Sequence, residues 1–202
     1  MELKLVLNED QTDMLAEIFN MGMGQSLGAL SKITGQEHEI TFSVPKIEVI
    51  SRKDFFRKGD EVERMALIIQ KYTGDLKGNA IFYLPSSAGK ELAKLIIGTD
   101  ITSDQIERLE SDAIIEIGNI FINSSISCLS NFLDLKIETK IPEMIFRDRL
   151  VALLEGDGDI IHLNAQFNIA HLQLQGDVAF VIDNDSIQKL TQRIDSVIGS
   201  GI

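Results

Sequence analysis

A single cysteine, three histidines and few basic residues restrict what this 202-residue chain can do. Cys128 has no second cysteine to bond, so no intrachain disulfide forms, and a lone cysteine suits a reducing compartment. It lies in apolar text and reads as a core thiol. His38, His162 and His171 stand in no metal-ligand spacing with Cys128, so no zinc site is expected. His162 and His171 read as strand surface or satisfied core. There are 19 Lys and Arg against 31 Asp and Glu, a net charge of −12. A nucleic-acid binder would show a basic stripe; none is present, and the same deficit argues against an anionic membrane surface. The first residues lack the basic segment and apolar core of a signal peptide. No apolar run approaches the ~18 residues of a membrane span. The expectation is a cytoplasmic protein. No Pro/Gly/Ser-rich linker divides the chain, which favours one fused unit over independent domains.

What is present is a short polar triad that occurs twice. Asp13, Glu17 and Asn20 stand at spacings of four and three, and Asp112, Glu116 and Asn119 repeat them 99 residues later (112 − 13). Residues four and three apart share one face of a helix, so two helices would carry the same carboxylate–carboxylate–amide stripe. A single such triad is ordinarily a solvated helix face. Two copies at a constant offset are different, because the apolar neighbours have drifted (Phe19 against Gly118, Met21 against Ile120) while the three polar residues have not.

The repeat extends further. Each triad is followed by a strand-like stretch with a proline, Ile40 to Pro45 and Ile137 to Pro142. Leu76–Tyr83 matches Leu174–Val181 at an offset of 98 (174 − 76), with Gly78 against Gly176. Helix-like segments follow, Ser86 to Ile97 and Ser186 to Ile198, each ending near a glycine. Tyr72–Leu76 and Glu155–Asp159 read as turns. Ile40, Phe42 and Val44 alternate with Thr41 and Ser43, as in a half-buried strand. One repeat therefore reads helix, strand, strand, strand, helix. The expectation is a single domain of two internal repeats, about 1–100 and 101–202, sharing one sheet with the triad helices on its surface.

Other motifs fail on spacing. Gly22-Met-Gly24-Gln-Ser-Leu-Gly28 misses a dinucleotide loop by one position and follows a helix. Ser86-Ser-Ala-Gly-Lys90 lacks the first glycine of a phosphate loop and the hydroxyl residue after its lysine. Asp157-Gly-Asp159 lacks the remaining positions of a calcium loop. Gly22, Gly24 and Gly28, with Ser124, Ser125, Ser127 and Ser130 after the second triad, predict either close helix approach or a flexible binding surface.

A glutamate and an asparagine three apart make no metal site or nucleophile by themselves. An amide both donates and accepts hydrogen bonds, so it can hold a water in a chosen direction, and a carboxylate can pair with a lysine on another molecule. Together they suit a helper that inserts into a partner's site and orients a hydrolytic water.

The pattern Asp/Ser-x3-Glu-x2-Asn followed by ~22 residues and proline resembles the CheC/CheX/FliY family of chemotaxis phosphatases. The second copy fits fully, with 22 residues between Asn119 and Pro142; the first has 24 between Asn20 and Pro45. Two copies resemble CheC more than the single-site CheX, and no further switch-protein domain follows, unlike FliY. The resemblance implies an α+β, CheC-like fold with two pseudo-symmetric halves, a mainly antiparallel sheet and the motif helices packed on it. It implies removal of the phosphoryl group from the aspartate of a CheY-type response regulator in chemotaxis or two-component signalling. Asn20 and Asn119 would orient the water, Glu17 and Glu116 would hold the partner's lysine, and Asp13 and Asp112 would support the helix or the docking. No cofactor is expected in this chain, since Mg²⁺ would come with the phosphorylated partner. The alternative is a non-catalytic adaptor for a regulator or a CheD-type receptor deamidase. Two fused halves already supply a pseudo-dimer, so a monomer is expected. Phe19, where the second copy has Gly118, would either crowd a docked regulator or be core; with the longer gap to Pro45 it favours the second site.

Overall fold

The apolar stripes of the two triad helices need a common surface, and a seven-stranded antiparallel sheet supplies it. The computed structural model describes residues 5–34, 40–57, 65–97, 103–155, 159–169 and 172–200. The order is α1 (Glu9–Thr34), β1 (Ile40–Ser51), α2 (Arg52–Arg57), β2 (Met65–Gly74), β3 (Gly78–Pro85) and α3 (Ser86–Ile97). It continues with α4 (Ser103–Phe132), β4 (Ile137–Thr139), β5 (Glu143–Ile145), α5 (Arg147–Leu154), β6 (Asp159–Ile169), β7 (Leu172–Ile182) and α6 (Asn184–Gly199). The fold is α+β, as expected.

The strands run β1-β6-β7-β3-β2-β4, with β5 also on β2. The sequence matches β1 with β4 and β5 and β3 with β7, and the order of elements then sets β2 against β6. Exchanging each strand for its counterpart reproduces the same order backwards. At the centre, β3 and β7 pair antiparallel with Ile81 opposite Ala179, which are counterparts at the offset of 98 (179 − 81). A local two-fold axis thus passes between them. The outer strands are exchanged: β1 pairs with β6, and β4 and β5 pair with β2.

Alternation along the strands divides the interior into two layers. Ile68, Phe82, Val178 and Phe180 face the large core under α1, α3, α4 and α6. Leu67, Ile69, Tyr83 and Ile160 face a smaller one with Phe55 of α2 and Leu150 and Leu154 of α5. The sequence reading lacks α2 and α5, which are too short to show helical periodicity. It also runs one strand through residues 137–142, where the structure has two short strands and a break. Of the turn expected at Tyr72–Leu76, residues Tyr72–Gly74 prolong β2 and the chain turns only after them, leaving the strand through Gly74 at φ +118°, where a Cβ would also strike the Lys136 carbonyl. Glu155 follows α5, and the rest of that expected turn, at 156–158, lies outside the described residues, as do His38 and His171.

The expectation about apolar runs needs correcting for α4. Its stretch Leu109–Phe132 is long and apolar enough by composition to cross a membrane. The exposed Asp112 and Glu116 interrupt the linear run without lowering the average enough. Here its apolar face packs into the large core.

His162 is satisfied core: its Nε2 lies 2.8 Å from the Tyr83 hydroxyl and 3.0 Å from Asp177 Oδ1. Burial first, then the Asp177 charge, pushes the Tyr83 hydroxyl well above its ordinary value. Cys128 is buried, and burial pushes its thiol up.

Local signals explain where α1 begins. Asn8 and Gln11 cap it reciprocally, Asn8 N–H donating to Gln11 Oε1 at 3.0 Å and Gln11 N–H to Asn8 Oδ1 at 2.8 Å. Gln11 Nε2 also donates to Asp195 Oδ1 of α6 at 2.6 Å. Helix α1 crosses α4 at Gly22, where a Cβ would lie 2.9 Å from the Ser124 carbonyl oxygen and the Ser125 Cα. Gly24 and Gly28 have nothing within 4 Å of a built Cβ, so only Gly22 serves the crossing. Phe19 is fully buried and stacks on Phe180 with ring centroids 5.1 Å apart. Gly118 lies against the sheet instead, where a Cβ would sit 2.8 Å from Ile68 Cγ2. The ring at position 19 is core and does not rim the triad face.

Two stability tests follow from this packing. Gly22→Ala forces main chains apart and should destabilise by about 1–3 kcal/mol, whereas Gly24→Ala should stabilise by up to about 1 kcal/mol. Urea denaturation checks the opposite signs within one helix. Phe19→Ala should cost about 3–5 kcal/mol in the same measurement, and a loss under 1 kcal/mol would mean the ring is not core.

Candidate functional site

Helical periodicity sorts each triad from its neighbours. On α1, Leu15, Ile18 and Phe19 are buried, while Asp13, Glu17 and Asn20 are exposed. On α4, Ala113, Ile114, Ile117 and Gly118 are buried, Asp112 and Glu116 are exposed, and Asn119 is half-buried. Each triad therefore lies along the outer edge of a helix whose inner edge is fixed by the core. The structure brings each triad together on its own helix. The two helices meet at the Gly22 crossing, which is built from residues outside both triads.

The second triad borders a groove of about 440 Å³ whose walls include Glu116, Asn119, Asn123, Lys140, Ile141 and Pro142. Its far wall is the break between β4 and β5. A proline cannot donate to a strand ladder, so it belongs on an edge or at an interruption. Pro142 stands in the break, and Pro45 stands at the register shift between Ser43 and Lys46 of the edge strand β1. Both motif prolines thus mark an irregularity in the outermost strand of the sheet. The side chains of residues 40–46 lie outside the described ones, so the groove is described for the second triad alone. On its rim, Ile141 is 90% exposed.

Beneath Asn119 lies a polar connection that the sequence reading missed. Asn123 Nδ2 donates to Asn119 Oδ1 at 2.6 Å. Gln70 of β2, only 2% exposed, donates through Nε2 to Asn123 Oδ1 at 3.1 Å and to the Lys140 carbonyl at 2.8 Å. Gln70 Oε1 is buried with no hydrogen-bond partner among the described residues, an arrangement that costs about 1–3 kcal/mol. Two signals were available: Asn123 is one helical turn beyond Asn119, and Gln70 directly follows the apolar run Ala66–Ile69, at a position of the same parity as Ile68. Among the described residues, no three potential metal ligands cluster. The face therefore offers hydrogen-bonding and ion-pairing groups in a shallow, partly apolar groove, which suits contact with another macromolecule's polar site.

No protein-family model matches the chain. Across 91% of its length, the chain is 27% identical to the CheY-P phosphatase CheC of Bacillus subtilis (strain 168), of which it covers 93%. Among solved structures, the fold is similar to that of Thermotoga maritima FliY, with a TM-score of 0.75, 21% identity, and coverage of 95% of this chain and 99% of that one. A CheX–CheY–BeF3–Mg complex from Borrelia burgdorferi matches with a TM-score of 0.50 and 14% identity, covering 79% of this chain and 96% of that one. The likeness of this chain to the CheC/CheX/FliY family is thus shown in sequence by the CheC relative and in fold by its structural neighbours.

Proposed function

We propose that this chain accelerates hydrolysis of the aspartyl phosphate on a CheY-type response regulator. The observation that carries the reading is the outward presentation of both triads on helices whose opposite edges are locked in one core. The CheC relative, a CheY-P phosphatase by name, and the CheX neighbour, solved together with CheY, support the same partner class.

In this reading the partner supplies the acyl phosphate and Mg²⁺, and this chain supplies positioning. Asn20 and Asn119 each hold a water in line with the phosphorus. The water oxygen bonds to phosphorus as the bond from phosphorus to the aspartate oxygen breaks. The electron pair of that bond returns to the carboxylate, and the water's protons leave with dihydrogen phosphate. Glu17 and Glu116 pair with a partner lysine, and Asp13 and Asp112 support the helix edge or the docking. Ile141 covers apolar surface on the docked regulator next to Asn119.

With a phosphorylated CheY-type receiver and Mg²⁺, the unaltered chain should accelerate loss of phosphoryl label. Asn119→Ala should remove most of that acceleration, and Asn20→Ala together with Asn119→Ala should return the receiver to its own rate. Full activity in the double variant would sink the mechanism. Binding of the receiver without turnover by the unaltered chain would replace it with the adaptor reading, for a regulator or a CheD-type deamidase. Ile141→Asp should raise KM several-fold with kcat nearly unchanged, because it weakens docking without touching the water.

A further inference from the structure

The amide connection beneath Asn119 has a fixed direction. A main-chain carbonyl only accepts, so the Lys140 carbonyl requires the NH₂ end of Gln70. The same NH₂ meets Asn123, which must answer with Oδ1 and so turns its own NH₂ to Asn119. Asn119 must then present Oδ1. Reversing any one amide would set two donors or two acceptors against each other. One carbonyl in the strand break thus determines, through two side chains, that Asn119 points Oδ1 inward and keeps Nδ2 and one oxygen lone pair for the groove.

The fold itself does not require this connection. Gln70 pairs with Ala80, and Leu163 pairs with Val178. Ala80 and Val178 are counterparts at the offset of 98 (178 − 80), so Leu163 occupies in the other half the place of Gln70. The counterpart of Asn123, at the triad offset of 99 (123 − 24), is Gly24. At the first triad the matching positions, one on α1 and one on β6, hold a glycine and a leucine, neither of which has a side-chain polar atom. The second triad rests instead on a buried glutamine of β2 with an unpartnered oxygen.

We infer that Gln70 and Asn123 are positioning residues that set the direction of the Asn119 amide, a device these two positions give to the second site and not to the first. The inference rests on the phosphatase reading above. It predicts an effect on how the water is held and not on how the partner docks, so kcat carries it and KM does not.

The test uses the full chain carrying Asn20→Ala, so that only the second site turns over. Into it go Gln70→Leu, Asn123→Leu and both together. Leucine at position 70 repeats what the other half carries at 163, so folding should be retained, and thermal unfolding checks this. The readouts are steady-state dephosphorylation of a phosphorylated CheY-type receiver with Mg²⁺ and the side-chain amide resonances of Asn119 in the chain alone. Each single variant should lower kcat about tenfold with KM within twofold, and the double should fall no further than the worse single, because the two act in series. The Asn119 amide resonances should shift in all three. Unchanged kcat in an active Asn20→Ala parent, or unmoved Asn119 resonances, overturns the positioning role and leaves the phosphatase reading standing. Acceleration by the unaltered chain but not by the Asn20→Ala parent overturns the second site as catalytic, and the inference falls with it. No acceleration by the unaltered chain is failure of the phosphatase reading itself, seen before any variant is compared.

Discussion

The pairing of β3 with β7 is the constraint on which the rest depends. It sets Ile81 against Ala179 and makes one sheet from two similar halves. Because the sheet is continuous across that seam, the apolar faces of α1 and α4 share a single core in place of two smaller ones. The two helices are then close enough to cross, and only a glycine at position 22 allows main chain to approach main chain there. Both triads inherit their placement from this arrangement. Their polar edges point outward because the opposite edges have nowhere else to go.

Within that frame the two triads are supported differently. The residue before each asparagine answers to the sheet below it: Phe19 fills space against Phe180, and Gly118 lets α4 settle onto Ile68. Neither choice concerns the exposed face. One turn later the difference does reach the face, since Asn123 touches Asn119 and Gly24 has no side chain to offer. An identical surface motif thus rests on unlike foundations, and comparison of the motifs alone conceals this.

Much of the architecture was legible in the sequence because it is repeated. The constant offsets of the triads and of the glycine-bearing strands located the two long helices and the central strands, and the spacing within each triad put its three residues on one helix face. Features that depend on one half alone were harder to read. Helices α2 and α5 are about two turns or less, too short for a period to show. The break at 140–142 follows from proline chemistry but looks like a continuing strand in a linear reading. Gln70 and Asn123 are 53 residues apart in the chain, and only the folded sheet brings them within hydrogen-bond distance. The asparagine motif was visible; the amides behind it were not, because their meaning is set by a tertiary contact.

The exchange of outer strands makes each half depend on the other. A chain of one repeat with this topology would be unable to finish its own sheet, because the strand that covers its edge belongs to the other copy. It would need a second molecule to close, and any change would appear in both sites of the pair at once. Joining two copies in one chain makes that closure intramolecular and frees each copy from identity with the other. The leucine at 163 and the glutamine at 70 differ in this way: within one chain, one site can be altered without the consent of its twin.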